Sequence, residues 1–256
     1  MSEIQGCQEL LDENSREPKV ILQSRVLLSK NERPYSPDQI KQEISNFGHG
    51  YNRTVMEIIH GSRNELTREV FLKNVAVLMS NFLMTRSGPF RGVRYNRREA
   101  KVVGEDKIEA CWKAAGKNMT ELKEFISSRP DSSYQRILID MKIGDQRKVA
   151  DDLWEIFKLL LPPCMGKSTL GLVAASKILF SIFPEVALPV DNTQWREVFR
   201  TVDYSDIIMH MAEEIAWWEK KTGRQLNSCV PDCLEAMTLP AIYNVMAMKA
   251  RPRQPG

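Results

Sequence analysis

The stretch over residues 159–199 constrains the fold of this chain most strongly. It reads LLLPPCMGKSTLGLVAASKILFSIFPEVALPVDNTQWREVF, so that apolar residues at helical spacing lie on both sides of a short polar turn. An apolar crossover follows and ends at Asp191, a residue type favoured at helix N-caps. The stretch therefore predicts a helix, a tight turn, a second helix, a crossover and a third helix that Asp191 opens.

Apolar residues recur at helical spacing along most of the remaining chain. Ser36 and Gln39 stand where a capping box opens a helix, and Gly223 is typical of a helix C-terminus. Pro240 is expected to kink or split the last helix. Because no convincing run of alternating strand residues appears, the predicted class is all-α, with about nine to eleven helices. The predicted helical segments are 36–47, 51–60, 64–84, 105–115, 120–127, 134–143, 146–161, 206–222 and 233–249.

These helices are expected to form one domain over residues 35–250. Its hairpin is predicted at about 153–183 and the segment that carries Asp191 at 188–200. Residues 1–34 are predicted to be an acidic, loosely ordered lead-in. Because they are acidic and hold no long apolar run, they do not resemble a signal peptide, and no segment approaches the roughly 18 apolar residues of a membrane span.

Composition excludes several classes of protein. Apolar residues make up 43% of the chain, enough for a sizeable core, and the net charge of +3 excludes a histone-like polycation but allows a local basic face. The five cysteines are scattered without a CxxC pair, and His49, His60 and His210 show no metal-ligand spacing. We therefore expect reduced thiols, a cytoplasmic location, and neither a metal nor a cofactor.

Two interpretations of the central stretch compete with a DNA-binding one. The GKST letters at 166–169 resemble the end of a nucleotide phosphate-binding loop, but the residue five positions before Gly166 is Leu161, and a helical pattern rather than a strand precedes it. Alternatively, the stretch is two core helices joined by a turn, with Asp191 as an ordinary N-cap. This second interpretation leaves the polar cluster at the turn unexplained.

The same residues more closely resemble the helix-hairpin-helix DNA glycosylases. That family carries a Leu-Pro-Gly-x-Gly-x-x-Thr-Ala hairpin, an apolar crossover, and Val-Asp-Thr-x-Val at the start of the next helix. Here LPPCMGKST at 161–169 looks like the hairpin, and LPVDNT at 188–193 looks like the aspartate segment. The resemblance covers about forty residues. It is closest to a divergent branch of the family, on the letters ASKIL at 175–179 and the crossover at 184–191.

This resemblance implies a helix-hairpin-helix glycosylase fold and a catalytic role for Asp191. Base removal develops positive charge on the sugar, which a carboxylate stabilises while it activates water. A helix N-terminus favours the ionised form of that carboxylate. The hairpin would hold the phosphates that flank the target base through amides, a lysine charge and a hydroxyl. The residues assigned to this contact are Met165, Gly166, Lys167, Ser168 and Thr169.

The sequence departs from the family pattern in three ways. Pro163 or Cys164 replaces the first glycine of the hairpin, which weakens the case for amide contacts to phosphate. Ser168 stands where members that also cleave the strand have a Schiff-base lysine, which favours a monofunctional enzyme. The cysteine cluster that binds iron–sulfur in some members is absent. Lys177, farther along the second helix, is interpreted as a solvated or capping lysine.

A loop over 86–101 is expected to contact DNA as well. It holds six basic residues against one acidic residue, Glu99, with aromatic residues interleaved. Basic groups neutralise phosphates and aromatic rings stack on bases, whereas the alternative is a solvated charged loop. A flipped base is expected to enter a pocket of aromatic side chains. The predicted DNA contacts are Arg91, Arg94, Arg97 and Arg98, and the predicted base pocket is Trp195, Phe90, Tyr95 and Tyr51.

The predicted function is hydrolytic excision of a modified or damaged base from double-stranded DNA by a monomeric glycosylase. A hypermodified phage base, excised in bacterial anti-phage defence, is one candidate substrate. The alternative is a helix-hairpin-helix module that binds DNA or RNA without catalysis, and the third possibility is nucleotide hydrolysis.

Overall fold

A computed structural model describes residues 25–29, 31–129, 133–166 and 170–251. These residues are mostly helical, which confirms the all-α class. Short helical turns and one small hairpin of strands lie between the α-helices. The α-helices are α1 (Pro37–Asn46), α2 (His49–Ser62), α3 (Arg68–Asn81), α4 (Glu105–Ser127), α5 (Ile137–Asp140), α6 (Ile143–Cys164), α7 (Leu172–Ile182), α8 (Tyr204–Thr222) and α9 (Leu239–Lys249). The other elements are strands β1 (Arg94–Asn96) and β2 (Lys101–Val103), a π-helix (Gln194–Phe199), and two 3-10 turns (Leu226–Cys229 and Asp232–Leu234).

Helix α6 lies at the centre of the fold and packs against α4, α7 and α8. Its apolar face, which includes Phe157 and Leu160, is buried, as the helical spacing predicted. The Phe157 ring stacks on Tyr204 of α8 with ring centroids 5.0 Å apart, and its centroid lies 5.7 Å from that of Trp195. This packing holds the turn that follows Asp191 against the core.

Short-range capping signals in the sequence are confirmed. The Ser36 hydroxyl accepts a hydrogen bond from the Gln39 amide, and the Gln39 side chain accepts one from the Ser36 amide, which completes the predicted capping box of α1. Gly223 ends α8 in the left-handed conformation at φ 66°. Each of these caps depends on residues within four positions of one another. Contacts with distant parts of the chain therefore have little influence on where these helices begin or end.

Two strands occupy part of the loop that was predicted to lack them. β1 and β2 pair antiparallel, with Arg94 opposite Val103 and Asn96 opposite Lys101. Val93 and Val102 are buried and anchor the hairpin to the core. Each strand has three residues, which is too short for the alternation of apolar and polar residues that identifies a strand in a sequence.

The structure changes several predicted helix boundaries and keeps one predicted division. The segments 105–115 and 120–127 form the single helix α4, in which the ring of Trp112 lies over Gly116, so close that a Cβ atom there would meet the ring at 2.8 Å. The segment 233–249 is divided just before Pro240, as predicted: Asp232–Leu234 forms a 3-10 turn, and α9 begins at Leu239. Pro240 lies in the first turn of α9, where no amide hydrogen is needed. The segment 134–143 retains only the one-turn helix α5.

Part of the predicted lead-in belongs to the core. Val26 and Leu27 are buried, and the Leu27 amide donates a hydrogen bond of 2.7 Å to the buried carboxylate of Glu214 on α8. The Trp218 indole donates a hydrogen bond to the Tyr35 carbonyl oxygen at 2.9 Å, so the chain entering α1 is held on the same helix. Residues 1–24 lie outside the described part of the chain.

Candidate functional site

The connection between α6 and α7 is longer than the tight turn that the sequence predicted. Pro162 and Pro163 lie in the last turn of α6, which ends at Cys164, and α7 begins only at Leu172. Met165 and Gly166 are half-buried in this connection. The predicted contacts at Lys167, Ser168 and Thr169 lie outside the described residues.

Gly171 closes this connection and was not singled out in the sequence. It is the N-cap of α7 and adopts the left-handed conformation at φ 79°. A Cβ atom on Gly171 would lie 3.0 Å from the carbonyl carbon of Cys164 and 3.1 Å from the Leu161 carbonyl oxygen. The end of α6 and the start of α7 therefore approach each other too closely for a side chain at this position.

Gly171→Ala is expected to lower the free energy of unfolding by about 2 kcal/mol, since it adds left-handed strain to a clash with backbone atoms. Urea unfolding measures this loss. Gly144→Ala is the matched control, because Gly144 lies in the first turn of α6 and a Cβ atom there would meet nothing within 4 Å. The control is expected to be neutral or stabilising. Equal stability of the two variants would contradict the close approach at Gly171.

Two hydroxyl groups hold the crossover that leads to Asp191. The Ser176 hydroxyl of α7 lies 3.1 Å from both the amide nitrogen and the carbonyl oxygen of Val190. The Tyr204 hydroxyl of α8 accepts a hydrogen bond from the Leu188 amide at 2.8 Å and donates one to the Leu188 carbonyl oxygen at 2.7 Å. Because these contacts are buried, the backbone before Asp191 is fixed from both sides.

Asp191 caps the helical turn that follows it, as the sequence predicted. Its Oδ1 accepts a hydrogen bond from the Gln194 amide, and its own amide donates to the Gln194 Oε1, both at 2.8 Å. Its Oδ2 accepts a hydrogen bond of 2.7 Å from the Arg251 guanidinium. The Asp191 side chain remains 24% exposed. The carboxylate is thus fixed in place, ion-paired and open to solvent.

A chain of side-chain hydrogen bonds joins this turn to Tyr51. The Gln194 Nε2 donates to the Asn244 Oδ1 at 3.0 Å, and the Asn244 Nδ2 donates to the Tyr51 hydroxyl at 2.8 Å. Burial raises the pKa of Tyr51, while the hydrogen bond from Asn244 lowers it, and burial has the larger effect. Tyr51 is therefore a neutral hydroxyl on the Asp191 side of the fold. Its ring lies edge-on to Phe47 and Phe82, with centroids 4.7 Å and 5.7 Å away.

Lys177 also lies on this side, which corrects its interpretation as a solvated or capping lysine. Burial lowers the pKa of Lys177 to about 8, and the charge of Asp191 opposes this shift. The Lys177 Nζ lies 5.0 Å from the centroid of the Phe82 ring. The helical spacing of 172–182 did not reveal this environment, because Phe82 and Asp191, which act on Lys177, come from other segments of the chain.

A cavity of about 930 Å³ lies next to the same turn. Four segments line it, namely the loop after α3, the end of α6, the start of α7 and the turn after Asp191. Phe90 and Trp195 of the predicted base pocket lie in its wall, whereas Asp191 and Tyr51 do not. Its lining residues are Leu83, Met84, Ser87, Gly88, Pro89, Phe90, Cys164, Leu170, Gly171, Leu172, Val173, Ala174, Asn192, Trp195, Arg196, Arg200, Thr201 and Val202.

Two residues of the cavity wall have strained backbones. Leu83 and Arg200 adopt the left-handed conformation at φ 59° and 55°, which costs about 1 kcal/mol or more for a residue with a side chain. Leu83 is also 54% exposed, so little packing offsets its strain. Leu83→Gly is therefore expected to raise the free energy of unfolding by about 0.5 kcal/mol, measured by urea unfolding. Loss of stability would indicate that the Leu83 side chain contributes more packing than its exposure suggests.

The remaining predicted residues lie on the outer surface of the strand hairpin and its loop. Arg91, Arg94, Arg97 and Arg98 are exposed. Arg97 pairs with Glu57 of α2 at 2.5 Å. Tyr95 of β1 is half-buried, and the Lys73 Nζ lies 5.6 Å from its ring centroid. The hairpin therefore presents arginines to solvent but keeps Tyr95 away from the cavity.

Comparisons with protein families, with curated proteins and with solved structures found no match for this chain. Among the described residues, no helix combines the length and apolarity of a bilayer span. The same residues bring together no group of three or more side chains suited to hold a metal ion.

Proposed function

We propose that this protein is a DNA glycosylase that excises a modified or damaged base, with Asp191 as its catalytic carboxylate. One observation carries the proposal: the Asp191 carboxylate is fixed at a helix N-terminus and is still exposed to solvent. A fixed negative charge suits the stabilisation of an oxocarbenium-like sugar, because it needs no reorganisation as the positive charge develops.

In this proposal, Arg251 leaves the Asp191 carboxylate and binds a DNA phosphate when DNA binds. In the free protein it neutralises the Asp191 Oδ2, and its own side chain is 33% exposed. A DNA phosphate is a bidentate acceptor for a guanidinium and can compete for Arg251 when DNA binds. In this proposal the exchange releases Oδ2 to face the sugar of the target nucleotide and to activate water.

The target base enters on the side of Tyr51 in this proposal. The rings of Tyr51 and Phe82 are half-buried there, and the Tyr51 hydroxyl is linked to the Asp191 turn through Asn244 and Gln194. Half-buried rings offer a stacking surface, and the neutral Tyr51 hydroxyl offers a hydrogen-bonding group for a base edge. The exposed arginines of the strand hairpin supply phosphate contacts.

The test is incubation of the purified protein with duplexes that each carry one damaged or hypermodified base, followed by alkali. A monofunctional glycosylase leaves an abasic site, so the strand breaks only after alkali treatment. The panel includes glucosylated hydroxymethylcytosine, because excision of hypermodified phage bases in anti-phage defence is part of the proposal. If no duplex in a broad panel yields an abasic site, the catalytic proposal fails.

A DNA-binding module without catalysis is the second candidate. It is favoured by one observation: both oxygens of Asp191 already accept hydrogen bonds, from Gln194 and from Arg251, so the residue is fully engaged as a helix cap. In this case the same duplexes would bind, with an affinity that falls steeply with salt, and none would release a base.

A further inference from the structure

The cavity beside Trp195 has the features of a ligand site that the proposed chemistry does not use. Asp191 is absent from its wall, and its volume of about 930 Å³ lies within the range of small-molecule sites. Trp195 lines it and is 3% exposed, and its indole Nε1 is buried with no hydrogen-bond partner among the described residues. A buried donor without a partner costs about 1–3 kcal/mol, which a bound acceptor would recover.

We infer that this cavity binds a nucleotide, with the base against Trp195 and the phosphate at the start of α7. The inference goes beyond the proposed glycosylase and does not depend on it. Free mononucleotides and an unpaired nucleotide within a nucleic-acid strand share this chemistry, and the experiment below separates the two sources.

The start of α7 supplies the phosphate end of the site. Leu172, Val173 and Ala174 line the cavity, and their amides form the first turn of an eleven-residue helix. Gly171, the N-cap, has no side-chain oxygen to satisfy these amides. Amides at a helix N-terminus, together with the helix dipole, bind phosphate. A helix N-terminus alone does not define a site. Here the first turn of α7 lines the same cavity as Trp195, whose buried indole has no hydrogen-bond partner among the described residues.

Two arginines add positive charge to the same wall. Arg196 and Arg200 line the cavity and are exposed, and neither forms an ion pair with a carboxylate in the described part of the chain. Guanidinium groups bind phosphate through paired hydrogen bonds. Arg196 lies in the π-helix, and Arg200 ends that helix in the left-handed conformation. Both residues line the cavity. Such irregular helices are frequent at functional sites.

The apolar part of the cavity favours a base over an acyl chain. Pro89 and Phe90 come from the loop after α3 and complete the wall with Trp195. Trp195 and Phe90 are 3% and 1% exposed, so they give the cavity a packed apolar wall rather than an open face for stacking. A base carries ring nitrogen and carbonyl acceptors for the Trp195 Nε1, whereas the chain of a fatty acid offers no acceptor at that depth.

Titration calorimetry tests this inference on the full chain. The probes are the common nucleoside 5′-monophosphates, adenosine, an oligonucleotide duplex with one unpaired nucleotide, and palmitate. Trp195→Phe keeps an aromatic ring but removes the indole N–H, and we expect about fivefold weaker nucleotide binding. The double variant Arg196→Gln, Arg200→Gln is expected to weaken binding by at least about tenfold and to abolish the preference for AMP over adenosine.

Matched controls separate binding from folding and from catalysis. Arg224→Gln alters an exposed arginine outside the cavity wall and is expected to leave the Kd unchanged. Asp191→Asn is also expected to leave it unchanged, so failure of the glycosylase proposal would not affect this result. Thermal unfolding of each variant checks that the fold is retained.

Each outcome has a defined meaning. Mononucleotide binding with this variant pattern supports a site for free nucleotides. Binding of the duplex with the unpaired nucleotide alone, with the same pattern, supports a site for a nucleotide within a strand. Palmitate binding without nucleotide binding, no binding of any probe, or nucleotide binding that neither variant weakens overturns the inference.

Discussion

Asp191→Asn is expected to reduce the rate of base release by at least about 100-fold while leaving DNA binding largely intact. Loss of one preorganised electrostatic group at a transition state costs about 2.7–4 kcal/mol. Asparagine is as good an N-cap as aspartate, so the hydrogen bond from the Gln194 amide is retained. The variant removes the negative charge and also the hydrogen bond from Arg251, because the amide nitrogen that takes the place of Oδ2 cannot accept one. The measurement is single-turnover base release on the duplex that the panel identifies, together with the Kd for the same duplex.

Asp203→Asn is the matched control for this variant. Asp203 is the N-cap of α8 and accepts hydrogen bonds from the amides of Ser205 and Asp206. Asp203 is therefore an aspartate in the same structural role as Asp191, but it has no role in the proposed catalysis. The Asp203→Asn variant is expected to release base at the normal rate. If Asp191→Asn releases base as fast as Asp203→Asn, Asp191 is only a helix cap.

The parts of the site that the sequence predicted depend on short-range interactions. The N-cap at Asp191 requires Gln194, three residues later, and the capping box of α1 likewise spans three residues. The all-α class followed from helical spacing, which each helix carries within itself. The particular glycosylase fold remains a prediction, because it depends on how these helices are arranged and on a resemblance over about forty residues.

The parts that the sequence did not predict depend on contacts between distant residues. Asn244 links Gln194 to Tyr51, and Arg251 pairs with Asp191 from 60 positions away. The spacing of apolar residues within one segment cannot predict a contact between side chains that lie so far apart in the sequence. The division of the predicted base pocket has the same origin, since Trp195 lines the cavity whereas Tyr51 does not. The role of these aromatic residues in a base pocket remains a prediction, and their grouping required the packed structure.

Lys177→Met is expected to raise the free energy of unfolding at pH 7 by about 2 kcal/mol. Burial lowers the pKa of Lys177 to about 8, below its ordinary value of 10.5, so the folded protein holds this proton less tightly than the unfolded chain does. Below pH 8 the buried ammonium is charged and destabilises the fold. Methionine fills a similar volume without a charge. The pKa of about 8 already includes the opposing attraction between Lys177 and Asp191.

The pH dependence of this gain is the decisive measurement. As pH rises through about 8, the folded protein releases the Lys177 proton and the penalty declines, and it vanishes near 10.5, where the unfolded chain also loses its proton. Urea unfolding of wild type and variant at pH 7, 8.5 and 10 should therefore show a stability difference that shrinks with pH. Lys117→Met is the surface control, since Lys117 is 85% exposed, and it should change the free energy by at most about 0.5 kcal/mol. A Lys177→Met variant that is less stable than wild type by the same amount at every pH would contradict the lowered pKa of Lys177.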